Sequence, residues 1–132
     1  MIDTSGARPR KLAAMGADRQ AHVDRARVIQ LEEILGTELG EVVNSLVRSV
    51  DLELDNVDQA LAAGRPEDAV HPAHRARNDG LMVGAGPLLA ALIEVETASS
   101  RGELEPARAA LQRVREVWPE TREELERCVS ER

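Results

Sequence analysis

His74 stands at the head of the stretch Ala73-His74-Arg75-Ala76-Arg77-Asn78-Asp79-Gly80-Leu81-Met82-Val83-Gly84-Ala85, which places a nucleophile and cations at helical spacing. A neutral imidazole offers a nitrogen lone pair near pH 7 and can attack a phosphoryl group directly. Arg77 follows one helical turn later, where a guanidinium can hold and partly neutralise anionic oxygens. On a helix turning about 100° per residue, Ala69, Ala73, Ala76, Gly80 and Val83 share one stripe, and His74, Arg77, Asn78 and Leu81 lie roughly opposite. The small residues therefore face inward and His74 faces outward. Val70 and Leu81 fall beside the histidine on that outward face, where exposed apolar side chains would form a docking patch for another protein. His71 and His74 have i, i+3 spacing, but no third ligand cluster accompanies them, so no metal site is expected.

The elements that must carry this stretch are helical. Aromatic residues make up 1% of the 132-residue chain, a single Trp with no Phe or Tyr, so the core must be built from Leu, Val, Ile and Ala. Abundant Ala, Leu, Glu and Arg favour helix and leave few strand segments. Residues 1–20 carry Gly6, Pro9 and Gly16, four basic residues against two acidic ones, and no sustained apolar period; they read as a flexible or loosely helical tether. Residues 21–132 form the domain. Val23, Ala26, Ile29, Leu31, Ile34 and Leu35 give a first amphipathic helix that stops at Gly36, and Thr37 is the candidate N-cap of a long helix running to Gly64. The histidine helix follows Pro66, with a kink or a true start near Pro72, and ends at Gly84-Ala85-Gly86-Pro87. Leu88 to Gly102 forms the next helix, and the last runs from Leu104 with a bend or break at Pro119. Trp118 is expected to plug the core or the bundle end, His22 to be a plain exposed residue, and Glu120, Glu123, Glu124 and Glu126 to form a solvated face. Short connections and one apolar stripe per helix predict an all-α antiparallel bundle.

Charge narrows the partner class. With 24 acidic and 17 basic residues the net charge is −7, the wrong field for nucleic acid or an anionic membrane, and no apolar run is long enough to span a bilayer. The lone Cys128 forms no intramolecular bridge, which fits a reducing, cytoplasmic compartment. Neither a Gly-rich phosphate loop nor the ATP-binding boxes of a kinase are present, so the chain has no autonomous kinase activity.

Residues 28–118 resemble the histidine phosphotransfer (HPt) domains of two-component phosphorelays. The likeness is carried by Ala73, His74, Ala76, Gly84, Ala85 and Leu88, and by Leu31-Glu32-Glu33-Ile34-Leu35-Gly36 ahead of the long helix. Arg77 replaces the usual lysine and keeps the cation, whereas Asn78 replaces the usual glycine and puts a side chain where the family leaves room. The resemblance implies an HPt-type four-helix bundle with an additional N-terminal helical segment. It further implies that His74 accepts a phosphoryl group through Nε2 from a receiver-domain phosphoaspartate and passes it to another receiver aspartate. Arg77, Arg75 and Asn78 are then the phosphate-positioning candidates, and Val70, Leu81 and Gly84 the partner-docking candidates. Mg²⁺ would be supplied by the receiver, and the partners would be response-regulator receivers and a hybrid sensor histidine kinase, met by a monomer. The alternative is an HPt-like interaction module that binds receiver or kinase domains without carrying phosphate. A sensor-kinase dimerisation domain fits less well, because there the histidine is usually followed by an acidic residue rather than by Arg75.

Overall fold

Asp24 opens the first helix. In the computed structural model, which describes residues 21–130, its Oδ1 accepts the backbone N–H groups of Ala26 and Arg27 at 3.0 and 3.3 Å. Those are donors a helix start leaves without partners, so α1 (Arg25–Leu35) begins here. A 3₁₀ turn over Gly36–Glu38 leads into α2 (Leu39–Ala62). A second 3₁₀ turn over Pro66–Ala69 leads into α3 (Val70–Met82), followed by α4 (Gly86–Ser100) and α5 (Leu104–Ser130). The tether expected over residues 1–20 lies outside the described residues. Among the described residues there is no strand, and no helix is long and apolar enough to cross a membrane.

Helices α2 to α5 form an antiparallel four-helix bundle, with α1 added at one end. Contacts run α2 to α3, α3 to α4, α4 to α5 and back from α5 to α2, closing a ring. Cross-helix pairs fix the directions. Ser49 and Glu53 on α2 meet Asp79 and Arg75 on α3, and Asp51, Asp58 and Leu61 on α2 meet Trp118, Arg115 and Arg108 on α5. In each case residue numbers rise along one helix as they fall along the other. Up-and-down topology follows from the short loops. The core is aliphatic: Leu39, Val43, Val50, Val57, Leu61, Leu88, Leu92, Val95, Val114 and Leu125 are all fully buried, together with Ala69, Ala73 and Ala76. Trp118 is buried as expected, and its indole Nε1–H donates to Asp51 at 2.7 Å, which satisfies the one polar group it brings inside.

Several local expectations are corrected. Thr37 lies inside the 3₁₀ turn and α2 starts at Leu39 without a side-chain cap. The expected helix start near Pro72 does hold: α3 begins at Val70, and Pro72, its third residue, sits where an N–H has no helical partner in any case. Pro119 does not break α5, which runs unbroken past it. Burial of Trp118, Thr121 and Leu125 on either side holds the helix together against the lost bond. The stripe read for α1 is buried only in part: Val23 is buried, and Leu31 and Leu35 pack partly buried against the core. Ile29 and Ile34 are 54% and 78% exposed, and Val28 is the only residue of α1 that is buried. Finally, Glu124 does not belong to a solvated face, and His22 is not a plain surface residue. The Glu124 carboxylate, with the residue only 8% exposed, accepts the backbone N–H groups of His22 and Val23 at 3.0–3.2 Å, and the His22 ring lies 2.7 Å from Glu120. His22 and Val23 are thus strapped to the side of α5.

Candidate functional site

The inward stripe of α3 is as the helical wheel requires. Ala69, Ala73, Ala76 and Val83 are buried, and a Cβ added at Gly80 would lie in ordinary contact with Leu88 and Leu89 of α4 at 3.5–3.6 Å. Small side chains let α3 sit tight against α4, and this leaves the opposite stripe on the surface. The His74 side chain is 45% exposed, open to a reacting partner on one edge and held on the other.

The held edge is Nδ1. Glu96, on the facing stripe of α4, places Oε2 3.1 Å from it, and Arg77 places Nη2 2.8 Å from the same atom. Arg77 Nε and Glu96 Oε1 lie 3.3 Å apart, close enough for a charge contact, yet both atoms are buried and neither makes an aligned hydrogen bond. His74, Arg77 and Glu96 therefore form a compact triad in which a carboxylate and a guanidinium both meet one ring nitrogen, leaving Nε2 as the outward one. Glu96 was not singled out by sequence reasoning. The signal was available: α3 and α4 are an antiparallel pair, and His74 and Glu96 are equally far along the chain from Ala85 in the loop between them.

The other candidates separate. Arg75 turns to the opposite side of α3, where its Nε donates to Glu53 Oε2 of α2 at 2.9 Å, and the buried Glu53 carboxylate also receives Asn56 Nδ2 at 3.4 Å. The structure does not bring Arg75 into the triad. Asn78 is exposed one turn beyond His74, and its neighbour Asp79 accepts the Ser49 hydroxyl at 2.7 Å. Leu81 is half exposed and Val70 partly so, one on either side of His74 along the helix. Next to Leu81, Met82 is exposed, and Ile93 adds an exposed apolar side chain one turn from Glu96 on α4. Gly84 lies about 15 Å along the axis from His74, at 1.5 Å per residue. With φ of 62° it turns the chain out of α3, Ala85 N–H returning to the Gly80 carbonyl at 2.9 Å. One side of it is covered by this chain itself. Asp24 N–H reaches the Val83 and Gly84 carbonyls, and a Cβ at Gly84 would come within 2.6 Å of the Asp24 Cβ.

No protein-family model and no curated protein sequence matches the chain. Among solved structures, the bundle is similar to the crystal structure of histidine-containing phosphotransfer protein B from Pseudomonas aeruginosa PAO1. The TM-score is 0.79 at 23% sequence identity, over 84% of this chain and 96% of that one. The fold is that of an HPt protein. The match takes in nearly all of the neighbour, so the likeness belongs to the whole bundle and not to a pair of helices. Within the HPt fold, the triad sits on the outward surface of one helical hairpin, α3 and α4.

Proposed function

We propose that the protein is a phosphorelay carrier. It takes a phosphoryl group onto His74 Nε2 from the phosphoaspartate of a response-regulator receiver and hands it to the aspartate of another. The observation that supports this reading best is the half-exposed imidazole whose Nδ1 is engaged by Glu96 while the ring's other nitrogen faces outward. A neutral ring that donates its Nδ1 proton to a carboxylate keeps its lone pair on Nε2, and the carboxylate offsets the positive charge that grows on the ring as Nε2 attacks. Arg77 supplies a cation for the phosphoryl oxygens, and the receiver supplies Mg²⁺ together with the leaving carboxylate. Arg75, tied to Glu53, shapes the partner-facing surface beside the acceptor. Val70, Leu81 and Met82 provide the apolar contacts. Donors and acceptors are receiver domains, one of them attached to a hybrid sensor kinase, and the carrier works in the cytoplasm as a monomer.

A second reading, an interaction module that binds receivers without carrying phosphate, is favoured by Asn78, whose exposed side chain stands one turn from His74. One experiment separates the two. Labelled phosphoryl is offered from a panel of phosphorylated receiver domains to the wild type and to His74→Gln. Acid-labile, base-stable label on the wild type alone supports the carrier. Receiver binding with no label on either protein supports the module.

A further inference from the structure

The two contacts at His74 Nδ1 cannot be satisfied together. Arg77 Nη2 is a donor only, so its 2.8 Å contact requires a lone pair on Nδ1 and the ring proton on Nε2. Glu96 Oε2 is an acceptor, so its 3.1 Å contact requires the proton on Nδ1 and leaves the lone pair on Nε2. Only the second tautomer of the neutral ring can attack from its outward nitrogen. A further observation shows where the guanidinium can go when it leaves Nδ1. Arg77 Nε and Glu96 Oε1 are buried, face each other at 3.3 Å and have no aligned hydrogen bond. A small shift of the guanidinium would close that pair and free Nδ1 to donate to Glu96 Oε2.

We infer that Arg77 is a gate on the tautomer of His74. At rest its Nη2 holds the lone pair on Nδ1 and keeps Nε2 protonated and unreactive; an incoming phosphoryl group draws the guanidinium away, Glu96 takes the Nδ1–H, and Nε2 becomes the nucleophile. This rests on the carrier reading and deepens it, giving Arg77 a positioning role through the ring in addition to any hold on phosphate. The proton balance closes with solvent alone. Nε2 releases its proton to water and Nδ1 receives one. The Nε2 lone pair then forms the bond to phosphorus as the bond from phosphorus to the donor carboxylate oxygen breaks, and that carboxylate leaves with the electron pair.

The test is nitrogen NMR of the isotope-labelled protein in alkaline buffer, where the rings are neutral, with the His74 signals assigned by their loss in His74→Gln. In the wild type the pyrrole-type nitrogen of His74 is expected at Nε2. In Arg77→Met, which keeps the bulk and loses the donors, the majority proton is expected to move to Nδ1. In Glu96→Leu the Nε2–H form should persist. A wild-type ring with its proton mainly on Nδ1, or an Arg77→Met variant with an unchanged tautomer ratio, overturns the gate. The wild-type spectrum alone decides the matter if the variant fails to fold. No phosphoryl donor is used, so failure of the gate and failure of the carrier reading remain distinct: an inverted ratio in Arg77→Met on a chain that never takes label would keep the gate and lose the carrier.

Discussion

Replacing Gly84 by alanine separates a glycine held by its own chain from one reserved for a partner. Two costs add. The residue has φ of 62°, and a left-handed conformation costs an L side chain about 1–2 kcal/mol. The new Cβ would also lie 2.6 Å from the Asp24 Cβ, against an ordinary carbon contact of about 3.5–4.0 Å, so Asp24 must withdraw by roughly 1 Å. Withdrawal strains the Asp24 N–H bonds to the Val83 and Gly84 carbonyls and the cap that Asp24 provides for α1, a cap worth about 1 kcal/mol. The expected loss is therefore about 2–4 kcal/mol. At about 3–5 °C per kcal/mol for a chain of this size, the melting temperature should fall by roughly 6–20 °C. Gly64→Ala is the internal control: φ is 73°, but nothing lies within 4 Å of its Cβ, so only the backbone cost of about 1–2 kcal/mol applies. Thermal melts followed by circular dichroism measure both, and Asp24→Gly in the Gly84→Ala background should recover the contact portion, less the few tenths of a kcal/mol that a glycine cap loses, because it removes the opposing Cβ. Equal losses at Gly84 and Gly64, with strictly additive behaviour on adding Asp24→Gly, would refute the reasoning and return Gly84 to the docking surface.

Three more predictions concern the site and its supports. Leu81→Glu should slow phosphoryl transfer from a receiver at least tenfold while leaving helix content intact, and an unchanged rate would remove Leu81 from the interface. Glu96→Leu removes the acceptor at Nδ1, a charge-assisted hydrogen bond worth about 1.5–3 kcal/mol before solvent screening at this partly exposed position, so transfer to and from His74 should slow by roughly 10-fold in a single-turnover assay. Transfer at the wild-type rate would show that the carboxylate does not orient the ring. Glu124→Leu leaves the His22 and Val23 N–H groups without their acceptor and should cost about 1–3 kcal/mol in urea titration. The same variant should speed limited proteolysis within residues 21–24, and a cleavage pattern identical to the wild type would mean that the strap is held elsewhere.

What could be read from the sequence was what depends on local spacing. The all-α class, the inward stripe Ala69-Ala73-Ala76-Gly80-Val83 and the outward His74 follow from the period of one helix, and the structure keeps them. What could not be read depends on the other side of a contact. Glu124 looks like every other glutamate of an acidic run until the backbone of His22, about a hundred residues away, is brought against it. Helical spacing puts Arg77 but not Arg75 on the His74 stripe, yet the partners are set by the neighbouring helices: α2 supplies Glu53 to Arg75 and α4 supplies Glu96 to the His74–Arg77 pair. The α1 helix misled because its weak apolar pattern has two candidate faces, and the choice is made by the loop at Gly84 against which Asp24 docks. Pro119 misled for a different reason: a local breaker was outweighed by burial on both sides of it.

The central claim is that Nε2 of His74 carries a phosphoryl group, and the most direct measurement is phosphorus–proton correlation NMR on the protein after phosphorylation by a receiver domain. Through-bond coupling identifies both the residue and the ring nitrogen. The account predicts a single phosphoramidate whose phosphorus couples to the His74 ring protons in the pattern of Nε2 attachment, absent in His74→Gln. Phosphorus on Nδ1, on His71 or His22, or on no histidine at all would contradict it.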